Sequence, residues 1–370
     1  MDEAQFIEDS VRLQLGGILD RALALTEESR ARALAGSSGS TLAWNSSEGV
    51  PYPANGWRLK QGAKPFDADA LENAQKFING AKAQGALRGL LAAGAKSDLI
   101  IDMQDRRLRK IAMEDGNLHP VFTFNREVGD TSRILWPLPK YHDLGTPGFL
   151  GPSDWDDVPW PDKQNKIGWR GNLNGRADWH GEVRREGQRL KPLYKRYAKG
   201  DITEEQARYN LAQFPRHRLM MRHIDDPRFD IGFTGADGMK LEQFPFMAPF
   251  MRSRVSQQAF RHYKYLLVLK GMDVGSSFYW TMNSGSLGLV MDGAFETFAS
   301  GHFRPWEHYV PFKADLSDLE ERIAWCNDND AACREMAERA GEVCDLIGQA
   351  ELRTEIGRQI IQRLEDRIVG

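Results

Sequence analysis

The sequence is short of several things, and each shortage closes a class of explanation. Three cysteines in 370 residues, Cys326, Cys333 and Cys344, cannot build a disulfide framework. Cys326 and Cys333 stand seven apart in helical-looking sequence, which is not a zinc-ligand spacing. No stretch approaches the ~18 consecutive apolar residues of a membrane-spanning helix. The net charge of −3 and pI near 6.3 lack the basic footprint of a nucleic-acid binder. An anionic ligand must therefore be met by a local basic patch. The opening Met1-Asp2-Glu3-Ala4 has neither the basic residues nor the apolar run of a signal peptide. The expected compartment is the cytoplasm, with room for peripheral membrane contact. Internal repeats, a Walker pattern and the full dinucleotide fingerprint are all missing.

What remains is a globular composition, 41% hydrophobic and 27% charged, on a chain long enough for two domains. Residues 2–34 read as helix, with Ile7, Val11, Leu15, Ile18, Leu19 and Leu23 near one face. Residues 36–66, rich in Gly, Ser, Pro and Asn, read as a long loop, and about 68–93 as a second helix. Leu99–Ile101 and His119–Phe124 read as strands. The Pro-, Gly- and Asp-rich stretch from Trp136 to Trp160 reads as a connection between domains. Beyond it, strands are expected at Ile167–Trp169, Phe229–Thr234, Tyr265–Leu269 and Leu287–Met291. Helices at about 202–213, 250–261 and 276–284 lie between them. That alternation predicts parallel sheets with crossover helices. Leu352, Ile356, Ile360, Leu364 and Ile368 recur every four residues, an amphipathic C-terminal helix whose stripe packs on a core.

Four constellations could carry chemistry. Lys166-Ile167-Gly168-Trp169-Arg170-Gly171-Asn172 ends a strand in Arg-Gly, a fixed cation beside backbone that a diphosphate can approach. The span from Lys163 to Lys199 holds eleven Lys/Arg against three Asp/Glu. Gly271 to Ser277 forms a glycine-bearing turn after a strand and before a helix, where backbone N–H groups can meet phosphate. Asp102-Met103-Gln104-Asp105 lies at the carboxyl end of a strand, where open α/β sheets bind ligands. Arg304 to Pro311 gathers Trp306, Glu307 and His308, an aromatic platform beside a carboxylate and an imidazole. Each also has a plain structural reading: a solvated basic face, an ordinary turn, a capping aspartate, a core histidine. Asp154-Trp155-Asp156 and Asp225-Asp226-Pro227 read as turns rather than metal ligands.

Taken in order, these motifs resemble glycosyltransferase family 90. The match runs from Tyr263-Lys264-Tyr265-Leu266-Leu267 through Gly271 and Ser284-Gly285-Ser286-Leu287. It continues through Pro305-Trp306-Glu307-His308-Tyr309-Val310-Pro311 into Asp315 to Leu319, Asn329-Asp330 and Ala337 to Gly341. Trp169-Arg170-Gly171 resembles the family's aromatic-Arg-Gly element. Ile101 to Asp105 resembles the strand end bearing its catalytic aspartate.

The resemblance implies an α/β fold in the GT-B arrangement, two facing Rossmann-like domains. Residues 1–145 would form the acceptor side, 146–345 the nucleotide-sugar side, and 346–370 a C-terminal helix packing back on the first. It implies inverting transfer without a metal or other cofactor, commonly from a UDP-sugar. Residue by residue, Asp105 would be the general base, with Asp102 its rival on spacing alone. Arg170, Gly171 and the Gly275-Ser276-Ser277 turn would hold the diphosphate. Lys264, Ser284, Gly285, Ser286, Trp306 and His308 would line or support the donor pocket. The turn lacks an Arg that many members carry at or beside Ser277, and Ala294-Phe295 stands where many have an acidic-Trp pair. The implied partners are a nucleotide-sugar donor and a glycan or glycolipid acceptor, with no nucleic acid. The implied setting is bacterial lipopolysaccharide or capsule synthesis at the inner membrane face. Two alternatives are a glycoside hydrolase pairing Asp105 with Glu307 at about 5–9.5 Å, and a non-catalytic glycan-binding protein.

Overall fold

The computed structural model describes residues 2–20, 22–34, 41–53, 80–104, 119, 121–139, 142, 144–145, 149–150, 158–175, 190–235, 240–271 and 273–369. The chain divides into two compact α/β units. The first comprises residues 1–151, 294–302 and 345–370, and the second residues 152–293 and 303–344.

The first unit begins with α1 (Glu3–Leu15), β1 (Leu23–Ala24) and α2 (Glu27–Leu34). The single helix expected over 2–34 is broken, because Gly16 takes φ +55°. A Cβ there would sit 2.7 Å from the Arg126 guanidinium, so apolar spacing carries on across a break that glycine imposes. The loop expected over 36–66 also needs correction. It contains β2 (Thr41–Asn45) and β3 (Val50–Pro53), an antiparallel hairpin. The Asn45 side chain accepts from the N–H groups of Ser47 and Glu48 at 3.1 and 3.2 Å, and Gly49 turns at φ +68°. Asn45 to Gly49, among the turn-forming residues that suggested a loop, are the hairpin's own turn, and Pro51 and Pro53 sit on its edge strand; residues 36–40 lie outside the described residues. Residues 54–66 lie outside the described residues.

Next come α3 (Gly80–Ala92), β4 (Leu99–Asp102), β5 (Val121–Thr123), β6 (Asn125–Glu127) and β7 (Ile134–Leu135). The sheet runs β3-β2-β4-β5-β7, with β4, β5 and β7 parallel and β2 antiparallel to β4. Its centre is fully apolar: Leu99, Ile100, Ile101, Val121 and Phe122 are buried.

The second unit is built on β8 (Gln164–Asn172), β9 (Phe229–Gly235), β10 (Tyr263–Val268), β11 (Leu287–Met291) and β13 (Val310–Phe312). All are parallel, in the order β13-β11-β10-β8-β9. Its helices are α4 (Leu190–Ala198), α5 (Glu204–Leu211), α6 (Pro215–His223), α7 (Gln257–Phe260), α8 (Phe278–Met282), α9 (Leu319–Asp328) and α10 (Asp330–Gly348), the last running into the first unit's share of the chain. The helix expected over 250–261 shrinks to α7, which starts after Ser256, whose hydroxyl accepts from the Ala259 N–H as an N-cap. The core joins Trp169, Phe233, Leu267, Leu289 and Phe312. Strands covered on both faces read as continuous apolar runs, which is why β11 matches its sequence expectation residue for residue.

The chain then returns to the first unit with β12 (Phe295–Thr297), α11 (Ala350–Glu365) and β14 (Ile368–Val369). β12 pairs antiparallel with β6, and β14 pairs parallel with β1. Leu352, Ile356, Ile360 and Leu364 of α11 are buried. Among the described residues, no helix is long and apolar enough to cross a membrane. The three cysteines are free and buried.

Candidate active site

In a parallel sheet every strand delivers its following loop to the same edge, so the carboxyl ends of β8, β10 and β11 are the place to look. After β10 the chain turns back on itself. A Cβ on Gly275 would lie 2.6 Å from Val268 and 3.2 Å from the Leu269 carbonyl, so only glycine lets the turn close there. Ser276 is exposed and Ser277 half-buried. Ser277 precedes α8 without spending its hydroxyl on a cap. No protein partner engages either serine hydroxyl or either backbone N–H among the described residues. Two hydroxyls and two N–H groups thus stand open beside the carboxyl end of the sheet's central strand.

The aromatic motif lies next to this turn. Phe278, the first residue of α8, meets Phe303 at 5.2 Å and Tyr309 at 6.1 Å, both edge-on. Phe303 meets His308 at 6.0 Å. His308 is buried and accepts from the Arg304 N–H through Nδ1 at 3.0 Å; burial pushes its imidazole below the usual value. It therefore works as a neutral clasp for its own loop. Trp306 is 40% exposed, with φ +63°. Its ring meets Trp325 at 5.0 Å, with Arg322 at 5.1 Å over it. An exposed indole held in the left-handed region is strained, and strain of this kind gathers at functional positions. Glu307 pairs with Arg304, whose hydrogen bond holds its carboxyl below the usual range. A hydrolase's general acid needs the opposite shift.

The remaining sequence candidates go elsewhere. Lys264 lies at the amino end of β10, where it pairs with Asp330 at 2.5 Å and sits over Trp160. Ser284, Gly285 and Ser286 form the turn leading into the amino end of β11. The Ser284 hydroxyl donates to the Thr281 carbonyl at 2.6 Å, and that of Ser286 to the Tyr263 carbonyl at 2.7 Å. Both serines are buried, and Gly285 supplies φ +64°. The structure thus brings Gly275–Ser277 and the Trp306–His308 loop together. It leaves Lys264 and Ser284–Ser286 at the amino ends of their strands, α8 running between the two groups.

Arg170 is held by partners within its own unit. Its Nη2 pairs with Asp230 Oδ1 at 2.6 Å, Nη1 donates to the Asp230 carbonyl at 2.7 Å, and Nε to the Ser253 carbonyl at 3.2 Å. Burial raises the Asp230 carboxyl, but the bonds from Arg170 and Tyr263 outweigh it and leave its pKa below the usual range. Gly171 lies against the Trp169 ring, where a Cβ would come within 2.4 Å.

The cation that the sequence reading missed is Arg216, at the start of α6. It is buried and donates to the carbonyls of Asn172 at 3.2 Å, Asn174 at 3.1 Å and Leu269 at 3.1 Å. It ties the loops after β8 and β10 to each other. Pro215-Arg216 at a helix start gave no sign of this, because its partners are 42 to 53 residues away.

In the first unit, Asp102 ends β4, buried, and accepts from the Gln104 side chain at 2.8 Å. Asp105 lies outside the described residues, as do Met272 and the Asp154–Asp156 pair. Asp226 forms the expected turn, accepting from the Arg228 N–H at 2.9 Å. His223, Asp226 and Glu320 cluster closely enough to hold a metal ion. The Arg228 guanidinium already spans both carboxylates, at 2.6 and 2.9 Å.

Comparison with known proteins shows the family of the chain. One relative is an uncharacterized protein, 027R, of Frog virus 3, 27% identical over 198 residues, or 51% of this chain and 19% of that one. Another is protein O-glucosyltransferase 3 of Rattus norvegicus, 33% identical over 78 residues, or 21% of this chain and 15% of the relative. Protein O-glucosyltransferase 1 of the same species is 32% identical over 80 residues, covering 22% and 20%. The matched part is a fifth or less of each relative's own length. Residues 87–346 match Glycosyl transferase family 90 as a whole; that is well over half of the sequence, and the chain belongs to this family.

Proposed function

We propose that this glycosyltransferase moves a sugar from a nucleoside diphosphate, UDP first among them, onto a hydroxyl of a glycan or glycolipid, with inversion and without a metal. The observation that carries the reading is the Gly275–Ser277 turn. It offers two unspent hydroxyls and two unspent N–H groups at the carboxyl end of β10 in a chain of this family. Oriented donors of this kind suit a leaving diphosphate. Arg216 keeps the turn's entry loop in place, and Trp306 supplies a flat apolar face for a ring. GT-B is the arrangement this reading assigns to the two α/β units, with Asp105 after β4 as general base on the acceptor side. Lipopolysaccharide or capsule synthesis at a membrane face is the setting this chemistry suits. A glucosyl donor with a protein acceptor is the second reading, favoured by the rat relatives' names.

Calorimetry with UDP, GDP, ADP and CMP, each with and without EDTA, tests the proposal. The expected result is saturable UDP binding that EDTA leaves unchanged. Binding of none of the four, or binding abolished by EDTA and restored by Mn²⁺, would overturn the corresponding half.

A further inference from the structure

β11 ends at the same edge of the parallel sheet as β10, and Asp292 is the residue that follows it. Its backbone N–H donates to the Phe312 carbonyl at 2.8 Å, so β13 fixes the chain at the point where this side chain leaves it. The carboxylate has no hydrogen-bond or ion-pair partner among the described residues. Asp318, the acid that acts on it, is occupied: Oδ1 accepts from the Lys313 N–H at 2.8 Å and Oδ2 from Arg322 at 3.2 Å. Arg322 also pairs with Glu321 at 3.0 Å. Asp292 is exposed, yet burial and then the Asp318 charge hold its carboxyl above the usual range. Lys270, Arg322 and Lys313 only partly offset them.

Two contacts tie this carboxylate to the open turn. The Tyr309 ring meets Phe278, the residue after Ser277, at 6.1 Å. Burial raises the Tyr309 hydroxyl, and the Asp292 charge adds to it. Asp292 and Ser277 therefore flank one aromatic pair. Beyond Asp292 the edge is open: a Cβ on Gly293 would meet no atom within 4 Å among the described residues.

An ionised carboxylate only accepts, through two oxygens side by side, and gains from donors that replace lost water. A diphosphate is not such a donor, because both groups are anions. A nucleotide sugar carries neutral donors elsewhere, in the vicinal hydroxyl pairs of its ribose and of its sugar. One carboxylate can accept from both hydroxyls of such a pair, in short charge-assisted bonds. We infer that the Asp292 carboxylate selects the donor by accepting from a vicinal diol of the nucleotide sugar. The inference rests on the reading of Gly275–Ser277 as the diphosphate site. It adds to that turn a group that recognises what the phosphates are attached to.

Calorimetry on the full chain and on Asp292→Ala tests this. The probes are UDP, 2′,3′-dideoxy-UDP and the tightest-binding of UDP-glucose, UDP-galactose and UDP-xylose. If the diol is the ribose's, the unaltered chain should bind UDP about tenfold or more tightly than dideoxy-UDP, the effect of a hydrogen bond to a charged group. Asp292→Ala should abolish that preference. If the diol is the sugar's, Asp292→Ala should weaken the UDP-sugar by about tenfold or more and leave UDP unchanged. Equal losses for all probes would show a purely structural role. That result, or no loss for any probe, would overturn the role of Asp292 and leave the donor reading standing. No binding of any probe to the unaltered chain would overturn the donor reading, and this role with it. Should Asp292→Ala fail to fold, Asp292→Asn removes the charge in nearly the same shape, and the same patterns decide.

Discussion

The two units solve the same problem with different sheets. The second uses five parallel strands, so every loop that follows a strand emerges at one edge. The first mixes a β2–β3 hairpin with the parallel set β4, β5 and β7. Only β4, β5 and β7 run parallel there, and in the sequence Asp105 stands three residues beyond Asp102, the last residue of β4. The function proposed above would divide the labour along this difference. A diphosphate needs several oriented donors at once, which a fully parallel sheet supplies from many loops. A general base needs one carboxylate held by one strand.

The sharpest way to break that comparison is to remove the base and leave the donor side intact. Asp105→Asn should slow transfer by roughly 10²–10⁴-fold, the usual contribution of general-base catalysis. UDP affinity should stay the same, because the substitution lies on the other unit. Steady-state rates with calorimetry in parallel test this. If the variant retained activity while Asp102→Asn lost it, the role would pass to Asp102, at the end of β4.

The second largest effect is expected with pH, and it should treat both units alike. Each buries three histidines among the described residues, and one in each is shifted furthest: His142 in the first, His217 in the second. Burial pushes both imidazoles down to about 3. Unfolded histidine titrates near 6.5, so below that pH the unfolded chain binds protons that the folded chain refuses. Stability is therefore complete above about pH 6.5 and falls as pH drops towards 3, by up to about 1.4 kcal/mol per pH unit for each histidine. Hydrogen exchange between pH 7 and 4 should show protection falling in β4–β5 and in β8–β10 together. Stability that stayed flat across this range would contradict the neutral assignment.

Which parts of this were legible beforehand follows the same contrast. β10 and β11 could be read closely because strands buried on both faces have no polar alternation to blur their limits. β2 and β3 were missed because an edge hairpin is composed of turn-formers and prolines, the residues that also make loops. The Gly16 break was hidden because Ile18, Leu19 and Leu23 continue the helical spacing beyond it. At the site, the open turn at Gly275–Ser277 was visible from a strand followed by glycine. The partners of Arg170 and Arg216 were not, since Asp230 lies 60 residues from the first and Leu269 lies 53 from the second.

Arg170 gives the third test. Its pair with Asp230 is mostly shielded, with side chains 10% and 28% exposed. Arg170→Ala should cost about 2 kcal/mol, between the values for surface and buried pairs. That corresponds to a fall of roughly 4–8 °C in Tm for a unit of this size. Folded protein should keep its UDP affinity within a few-fold. An unchanged Tm with affinity lost more than tenfold would show that the guanidinium leaves Asp230 to bind phosphate.

The smallest effect separates two serines by the ends of one short helix. Ser277 precedes α8 beside the carboxyl end of β10, half-buried, with its hydroxyl unused. Ser284 follows α8 on the way to the amino end of β11, buried, donating to the Thr281 carbonyl at 2.6 Å and accepting from the Ser286 N–H at 3.2 Å. Ser277→Ala removes one donor that water can partly replace, so UDP should bind about three- to tenfold less tightly, the net effect of an ordinary hydrogen bond. The fold should be untouched, because alanine accepts the helical φ −80°, ψ −4° at that position. Ser284→Ala strips a buried turn of one donor and one acceptor, and should cost about 1–3 kcal/mol of stability. UDP affinity should not change. Calorimetry and thermal unfolding on the two variants therefore give opposite patterns, one losing ligand and the other losing heat resistance. If Ser284→Ala lost UDP while Ser277→Ala kept it, the donor would lie at the amino ends of the strands, and the division between the two sheets argued above would fail.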